Sequence, residues 1–359
     1  MPGAGPGGSR SGVRGDPRMF DRIVTNLFLL ADCFTPFSIF DSPRFAAFHA
    51  RAVARRAARP EQPLPEISAG RASRDEALRL YGRHPLVIRG ALAQAASVQH
   101  WNDPQWWMQR YADESVLCTS PTDTGGFKLS EFFGSQRKLY VQGATALFEH
   151  RPELKNMVES EVTRRVAPGK AGAPPIFYQL FMGWKNQGST VHCAIGLNVF
   201  RQISGRKRWY FFPPSQTPYV FPKLYDSGFS ATSRTVQHHA RGTGAPWFDK
   251  LERYSTVLEP GDVLIVPPWW WHCVENEAGD DDLVIGVATR YGSAKAALRA
   301  DFFKSMISVI KARAMRKQHK DGELTSLQAA LAFEAKLTGN RNETAQQLTL
   351  HSDQPAAVA

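Results

Sequence analysis

Between Ile176 and Arg290 the chain is a succession of short apolar runs, each stopped by a proline pair or a glycine turn. Strands are predicted at Ile176–Trp184, Val191–Ile203, Lys207–Phe212, Ser255–Leu258, Val263–Val266, Trp269–Val274 and Leu283–Arg290. The stops are Ser204-Gly205-Arg206, Pro213-Pro214, Glu259-Pro260-Gly261-Asp262 and Pro267-Pro268. Proline cannot donate to a paired ladder, and glycine accepts the positive φ of a tight turn, so these stops separate strands rather than interrupt them. Many short strands with such punctuation point to a barrel or jelly roll.

Helical patterns flank this β region. A short helix precedes a strand at Pro85–Arg89, a second helix covers 101–112, Ser130 opens a third, and Pro152–Arg165 is a fourth. Residues 215–254 read as a long irregular stretch. Residues 294–338 return to helical periodicity, with Ala297, Phe302, Met306, Ile307 and Ile310 on one side. The expected organisation is a disordered or targeting segment over 1–63, a domain over 64–295 including its N-terminal helical part, C-terminal helices over 296–340, and a disordered tail over 341–359.

Hydrophobic residues make up 43 % and charged residues 21 %, enough to bury a sizeable core. The formal charge of +11 favours acidic partners. Much of the excess sits near the ends, as in Arg51, Arg55, Arg56, Lys311, Arg313 and Lys317. No zinc-finger pair or aromatic RNA-binding signature accompanies it, so solvated helix faces or a targeting segment are preferred to a nucleic-acid site. The Arg/Ala-rich, acid-free stretch 44–59 suits either a transit peptide or an exposed amphipathic helix. An intracellular location is expected, with a mitochondrial or plastid address open. The apolar stretch Ile23–Phe40 contains Asn26, Asp32 and Pro36 and is no membrane span.

Two segments carry candidate chemistry. GSTVHCAIGLNVFRQISGRKRWYFFPP (188–214) and LEPGDVLIVPPWWWHCVEN (258–276) each place one histidine, His192 and His272, on a short strand after a turn or proline pair. Both histidines are expected to line one pocket. Strand alternation puts Cys193 and Cys273 on the opposite face, as buried reduced thiols. Trp269, Trp270 and Trp271 are candidates for a cleft wall or for core, and His238-His239 reads as loop.

These residues resemble those of the JmjC and cupin-like 2-oxoglutarate/iron(II) oxygenases, of the hypoxia-factor asparaginyl hydroxylase type. The resemblance covers roughly residues 64–295, and PGDVLIVPPWWWH is its most specific part. It implies a mainly β fold with flanking helices, the double-stranded β-helix (jelly roll, cupin/JmjC-like). It implies Fe(II) as metal and 2-oxoglutarate as co-substrate, with His192 and His272 as metal ligands. Lys207, fifteen residues after His192, matches the family lysine that pairs with the distal carboxylate of 2-oxoglutarate. Ser189 matches a family hydroxyl, Tyr140 of LYVQ a family tyrosine, and Asn198 a pocket-lining asparagine.

The family carboxylate lies two residues after the first histidine, where this chain has Ala194. Loss of that ligand removes a negative charge and opens a coordination position; in related halogenases, which carry Ala or Gly there, chloride fills it. Glu275 and Asp282 are stand-ins without matching spacing. The expectation is therefore an oxidoreductase of hydroxylase type with a degenerate triad, acting on a protein or small-molecule side chain. The alternatives are a catalytically inactive JmjC-like binding module or a chloride-accepting site. A homodimer through the C-terminal helices is expected from family members; nucleic acid is not expected as a partner.

Overall fold

The computed structural model describes residues 17–35, 39–81, 84–120, 124–167, 175–224, 230–233, 245, 247–277, 279 and 282–318. A seven-stranded sheet runs, in spatial order, β1 (Glu61–Pro63), β13 (Arg253–Leu258), β10 (Lys207–Phe212), β15 (Trp271–Asn276), β8 (Gly188–Ala194), β12 (Ser230–Ser233) and β11 (Pro222–Leu224). A nine-stranded sheet runs β2 (Glu66–Ser68), β3 (Leu86–Arg89), β14 (Val263–Val266), β9 (Leu197–Ser204), β16 (Val284–Tyr291), β7 (Phe177–Gly183), β6 (Tyr140–Ala144), β4 (Ser115–Thr119) and β5 (Thr124–Lys128). From β7 to β10, and again from β13 to β16, successive strands alternate between the two sheets. That winding is the expected jelly roll.

Three apolar clusters hold it. Phe200, Trp209, Phe211, Leu264 and Val274 pack between the sheets. Trp101, Trp107, Phe132, Phe148 and Leu180 pack helices onto the back of the larger sheet. Phe45, Val191, Cys193, Trp271, Cys273 and Ile307 cover the back of the smaller one. Trp269, Trp270 and Trp271 are all buried in these clusters, so they are core rather than cleft.

The structure differs from the sequence expectation at Pro152–Arg165, which forms two helices, Glu153–Met157 and Glu161–Val166, and in four larger respects. The predicted strand Val191–Ile203 is two strands, β8 and β9, in different sheets. The chain crosses over at Ile195-Gly196, and the apolar residues on either side of that pair, Cys193, Ala194 and Leu197, mask the crossing. The stretch 215–254, expected as irregular, contributes β11 and β12 beside β8. The third difference lies in the 1–63 segment, expected to be disordered or targeting. It contains helices α1 (Pro17–Asp32) and α2 (Pro43–Ala54), with Ser42 capping α2 through Phe45 N–H and Phe45 fully buried.

The fourth concerns the direction in which the flanking helices face. In the Phe302–Gln318 helix the buried side carries Lys304, Ser305, Ser308 and Lys311, whereas Phe302, Phe303, Met306 and Val309 are exposed. Only Ala297 and Ile307 of the predicted apolar stripe are buried. Helix α1 is inverted in the same way, with Asp21, Thr25 and Asp32 inside and Met19, Phe20, Ile23 and Leu27 outside. The inward polar groups are paired: Asp21 with Arg55 at 2.7 Å and Asp32 with Lys311 at 3.5 Å. Lys304 lies 3.7 Å from Asp301 and about 5 Å from the Trp269 and Trp271 ring centres. Cation–aromatic and ion-pair contacts thus draw the polar side inward.

Candidate active site

His192 on β8 and His272 on β15 are direct cross-strand partners. Their ring centres are 4.2 Å apart, tilted by 57°. Each imidazole meets the backbone carbonyl two residues before it: His192 Nδ1 to Thr190 O at 2.8 Å and His272 Nδ1 to Trp270 O at 2.9 Å. A carbonyl only accepts, so a neutral ring donates from Nδ1–H and keeps its Nε2 lone pair for another partner. Burial holds both rings neutral. It depresses the His192 pKa to about 4, against the Thr190 carbonyl that works the other way, with Arg290 adding a smaller lowering. Burial, and then the neighbouring His192, put His272 well below the ordinary range. Trp209 stacks on His272 at 5.5 Å.

One small cavity, partly open to solvent, is lined by both histidines together with Tyr140, Ser189, Asn198 and Lys207. Alternation along β10 sends Lys207, Trp209 and Phe211 inward and Arg208 outward to Glu277. Ser189 is the exception to simple alternation. Three residues before His192, it should face the other way, but His272 pairs with His192 while Val274 pairs with Ser189. This bulge takes three steps on β8 against two on β15 and turns Ser189 back into the cavity.

Lys207 is 1 % exposed, its Nζ 5.4 Å from the Phe200 ring centre and 5.9 Å from that of Tyr140. No acid among the described residues pairs with it, and burial lowers its pKa to about 7. Tyr140 is buried and held as the neutral phenol, because burial raises its pKa. The Asn198 Oδ1 is buried without a hydrogen-bond partner. A buried ammonium and an orphaned amide oxygen both call for a ligand or water.

Ala194 lies two residues beyond His192 on the same side of β8, opposite Ser230 of β12, but is not among the residues lining the cavity. Neither stand-in carboxylate reaches the histidines. Glu275, three residues beyond His272, lies on the opposite strand face and pairs in register with Arg208, and Asp282 accepts from Gly279 N–H at 2.8 Å. No group of three His, Cys, Asp or Glu side chains placed to hold a metal occurs among the described residues. Cys193 and Cys273 are buried thiols on the outer face, in no disulfide, with Cys193 pushed up to about 12 by burial. His238-His239 lies outside the described residues. The donor set fits a divalent ion at two positions, since both lone pairs are free and each ring is oriented from behind. It also fits a dicarboxylate reaching Lys207. The sequence reading missed β12 and the inward arginine Arg290; strand alternation from Ala288 was the available signal for the latter.

The bulge depends on Gly188. A Cβ there would lie 1.9 Å from the Val274 carbonyl oxygen, a backbone atom in the paired strand. Gly188→Ala should force β8 and β15 apart and cost roughly 2–3 kcal/mol, measured by urea unfolding. A loss under about 0.5 kcal/mol would show that the bulge relaxes freely.

Residues 124–293 match the Cupin-like domain family. HSPB1-associated protein 1 of Homo sapiens is 39 % identical over 84 residues, 23 % of this chain and 17 % of that protein. Jumonji C domain-containing protein 5 of Drosophila melanogaster is 28 % identical over 160 residues, 42 % of this chain and 38 % of its own. Lysine-specific demethylase 8 of Xenopus tropicalis is 25 % identical over 214 residues, 54 % of this chain and 46 % of its own. The matches therefore cover about a sixth of the first relative and under half of the other two. Residues 124–293 thus carry a cupin-like domain of the JmjC-related kind, laid on the alternating two-sheet winding.

Proposed function

We infer that this chain is an iron(II)- and 2-oxoglutarate-dependent oxygenase that modifies a side chain of a protein or small molecule, from a site with two histidine ligands and Ala194 in place of a carboxylate. The observation that carries the reading is the orientation of the two neutral imidazoles, each held from behind by its own strand so that both Nε2 lone pairs are free. His192 and His272 would hold the iron, and Lys207, with the Tyr140 hydroxyl, would hold the distal carboxylate of 2-oxoglutarate. Iron and co-substrate, when bound, supply the oxidising power. This chain's residues bind, orient and keep water out, and Phe181, Phe200 and Trp209 form the apolar part of the wall. Relatives named as lysine- and arginine-specific demethylases support a protein side chain as substrate.

Anaerobic titration with iron(II) and 2-oxoglutarate, followed by succinate measurement after oxygen is admitted, tests this reading. Succinate above the metal-free control supports it. Binding of neither ligand would sink it in favour of the inactive JmjC-like module, a reading that the missing third ligand favours. Succinate formation that requires chloride would assign the halogenase-like site.

No helix among the described residues is long and apolar enough to cross a membrane. The outward apolar residues of the Phe302–Gln318 helix support self-association through the C-terminal helices. The chain is expected to sediment as a dimer, and the double substitution Phe303→Glu with Met306→Glu to give a monomer. A wild-type monomer at micromolar concentration would refute this contact.

A further inference from the structure

We propose that Arg290 binds an anionic group of the substrate, of carboxylate class, at the histidine end of the cavity. Arg290 is the cross-strand partner of Asn198, and Ala288, two residues earlier on β16, pairs with Phe200. Arg290 is not itself among the residues lining the cavity, but Asn198, Phe200 and Ala288 are; alternation puts its side chain on that same face, near enough to both histidines for its charge to act on them. Lys207 stands over the Phe200 ring, and Arg290 lies one pairing step further along, at the partly exposed end. Its Nε donates to Gln179 Oε1 at 3.0 Å, while Gln179 Nε2 donates to the Gly143 carbonyl at 3.4 Å. Gln179 thus holds the guanidinium by one edge and leaves the two terminal nitrogens for a planar, two-oxygen partner.

No acid among the described residues pairs with Arg290, and none lines the cavity. The contrast with Arg201 on the neighbouring strand is direct: that arginine is buried and spent on Glu159 at 2.7 Å and on Thr289. Arg290 keeps its charge uncompensated beside two neutral histidines. On the oxygenase reading, on which this proposal rests, Lys207 takes the distal carboxylate of 2-oxoglutarate and the other carboxylate goes toward the metal. Two cationic side chains and a divalent ion then face one dianion, and two positive charges remain. A substrate that brings a carboxylate close to its reacting carbon supplies a countercharge. A methylated lysine or arginine side chain would add to the excess instead and is disfavoured here.

The test uses the metal-free full chain and two isosteric probes, N-acetyl-aspartate N-methylamide and its asparagine counterpart, titrated with and without saturating 2-oxoglutarate. Wild type is expected to bind the aspartate probe about tenfold more tightly or better. Arg290→Gln should bring the two probes within twofold while leaving 2-oxoglutarate affinity unchanged, and Arg290→Lys should keep part of the preference. Equal binding of the probes by wild type, no measurable binding of either, or a preference that survives Arg290→Gln overturns the proposal. So does an Arg290→Gln variant that loses 2-oxoglutarate, since Arg290 would then serve the co-substrate. If wild type binds no 2-oxoglutarate, the oxygenase reading fails separately, and the probe comparison without it still decides the role of Arg290.

Discussion

Lys207→Met should lose roughly 30-fold or more of 2-oxoglutarate affinity and, at pH 6, give a more stable protein. The first effect follows from removing one member of a desolvated charge pair, which costs about 2–5 kcal/mol. The second follows from the unliganded state, in which the Lys207 ammonium is buried against Phe200, Phe181 and Tyr140 without an acid. Methionine fills similar space without the charge, and the gain is on the order of a few kcal/mol. The folded pKa of about 7 lies below the ordinary 10.5. Between these values the unfolded chain holds one proton more than the folded one, so wild-type stability rises with pH across that window relative to Lys207→Met, by about 1.4 kcal/mol per unit. Co-substrate binding runs the other way. Above pH 7 the free protein must take up a proton to bind, so 2-oxoglutarate affinity should fall about tenfold per unit. Calorimetry from pH 6 to pH 9 reads both, and a flat affinity profile would remove Lys207 from the binding site.

Ala194→Asp should tighten iron(II) binding roughly 10–100-fold, measured anaerobically, because it places an anionic oxygen beside His192 on the same side of β8. Little stability change is expected, as Ala194 is only partly buried and its strand pairing with Ser230 uses the backbone. If the chain is a weakened oxygenase, succinate formation should rise with the affinity. If it accepts chloride, dependence on chloride should vanish. Unchanged affinity would mean that the site departs from the family by more than this side chain, and the absence of Ala194 from the cavity wall gives that outcome a structural basis.

The histidine pair was legible in the sequence for a plain reason: each sits on a short strand after a turn or proline pair, where alternation alone assigns a face. Lys207 was legible through likeness, by its spacing of fifteen residues from His192. Ser189 was legible only through likeness, because its orientation depends on a bulge set by the close approach of Gly188 to Val274, and no local pattern encodes that approach. The crossing at Ile195-Gly196 was hidden for a related reason: Cys193, Ala194, Ile195 and Leu197 run apolar through it, with no proline or polar cluster to mark where the chain changes sheet. The Phe302–Gln318 helix shows the opposite failure. Its periodicity was real, but the barrel offers Trp269, Trp271 and Asp301 to the polar side, and tertiary contacts decided which side faces in.

The position of that helix also governs the order of assembly. The back of the seven-stranded sheet, where Val191, Cys193, Trp271 and Cys273 lie, is closed by helices drawn from both ends of the chain. During synthesis β8 is complete about eighty residues before its partner β15, and the C-terminal cover follows later still. The histidine pair therefore forms late, from contacts far apart in sequence, which makes its closure slow. Until the last helix emerges, an apolar sheet face holding two tryptophans and two thiols is open to solvent, and a nascent or truncated chain is in its most aggregation-prone state over that interval.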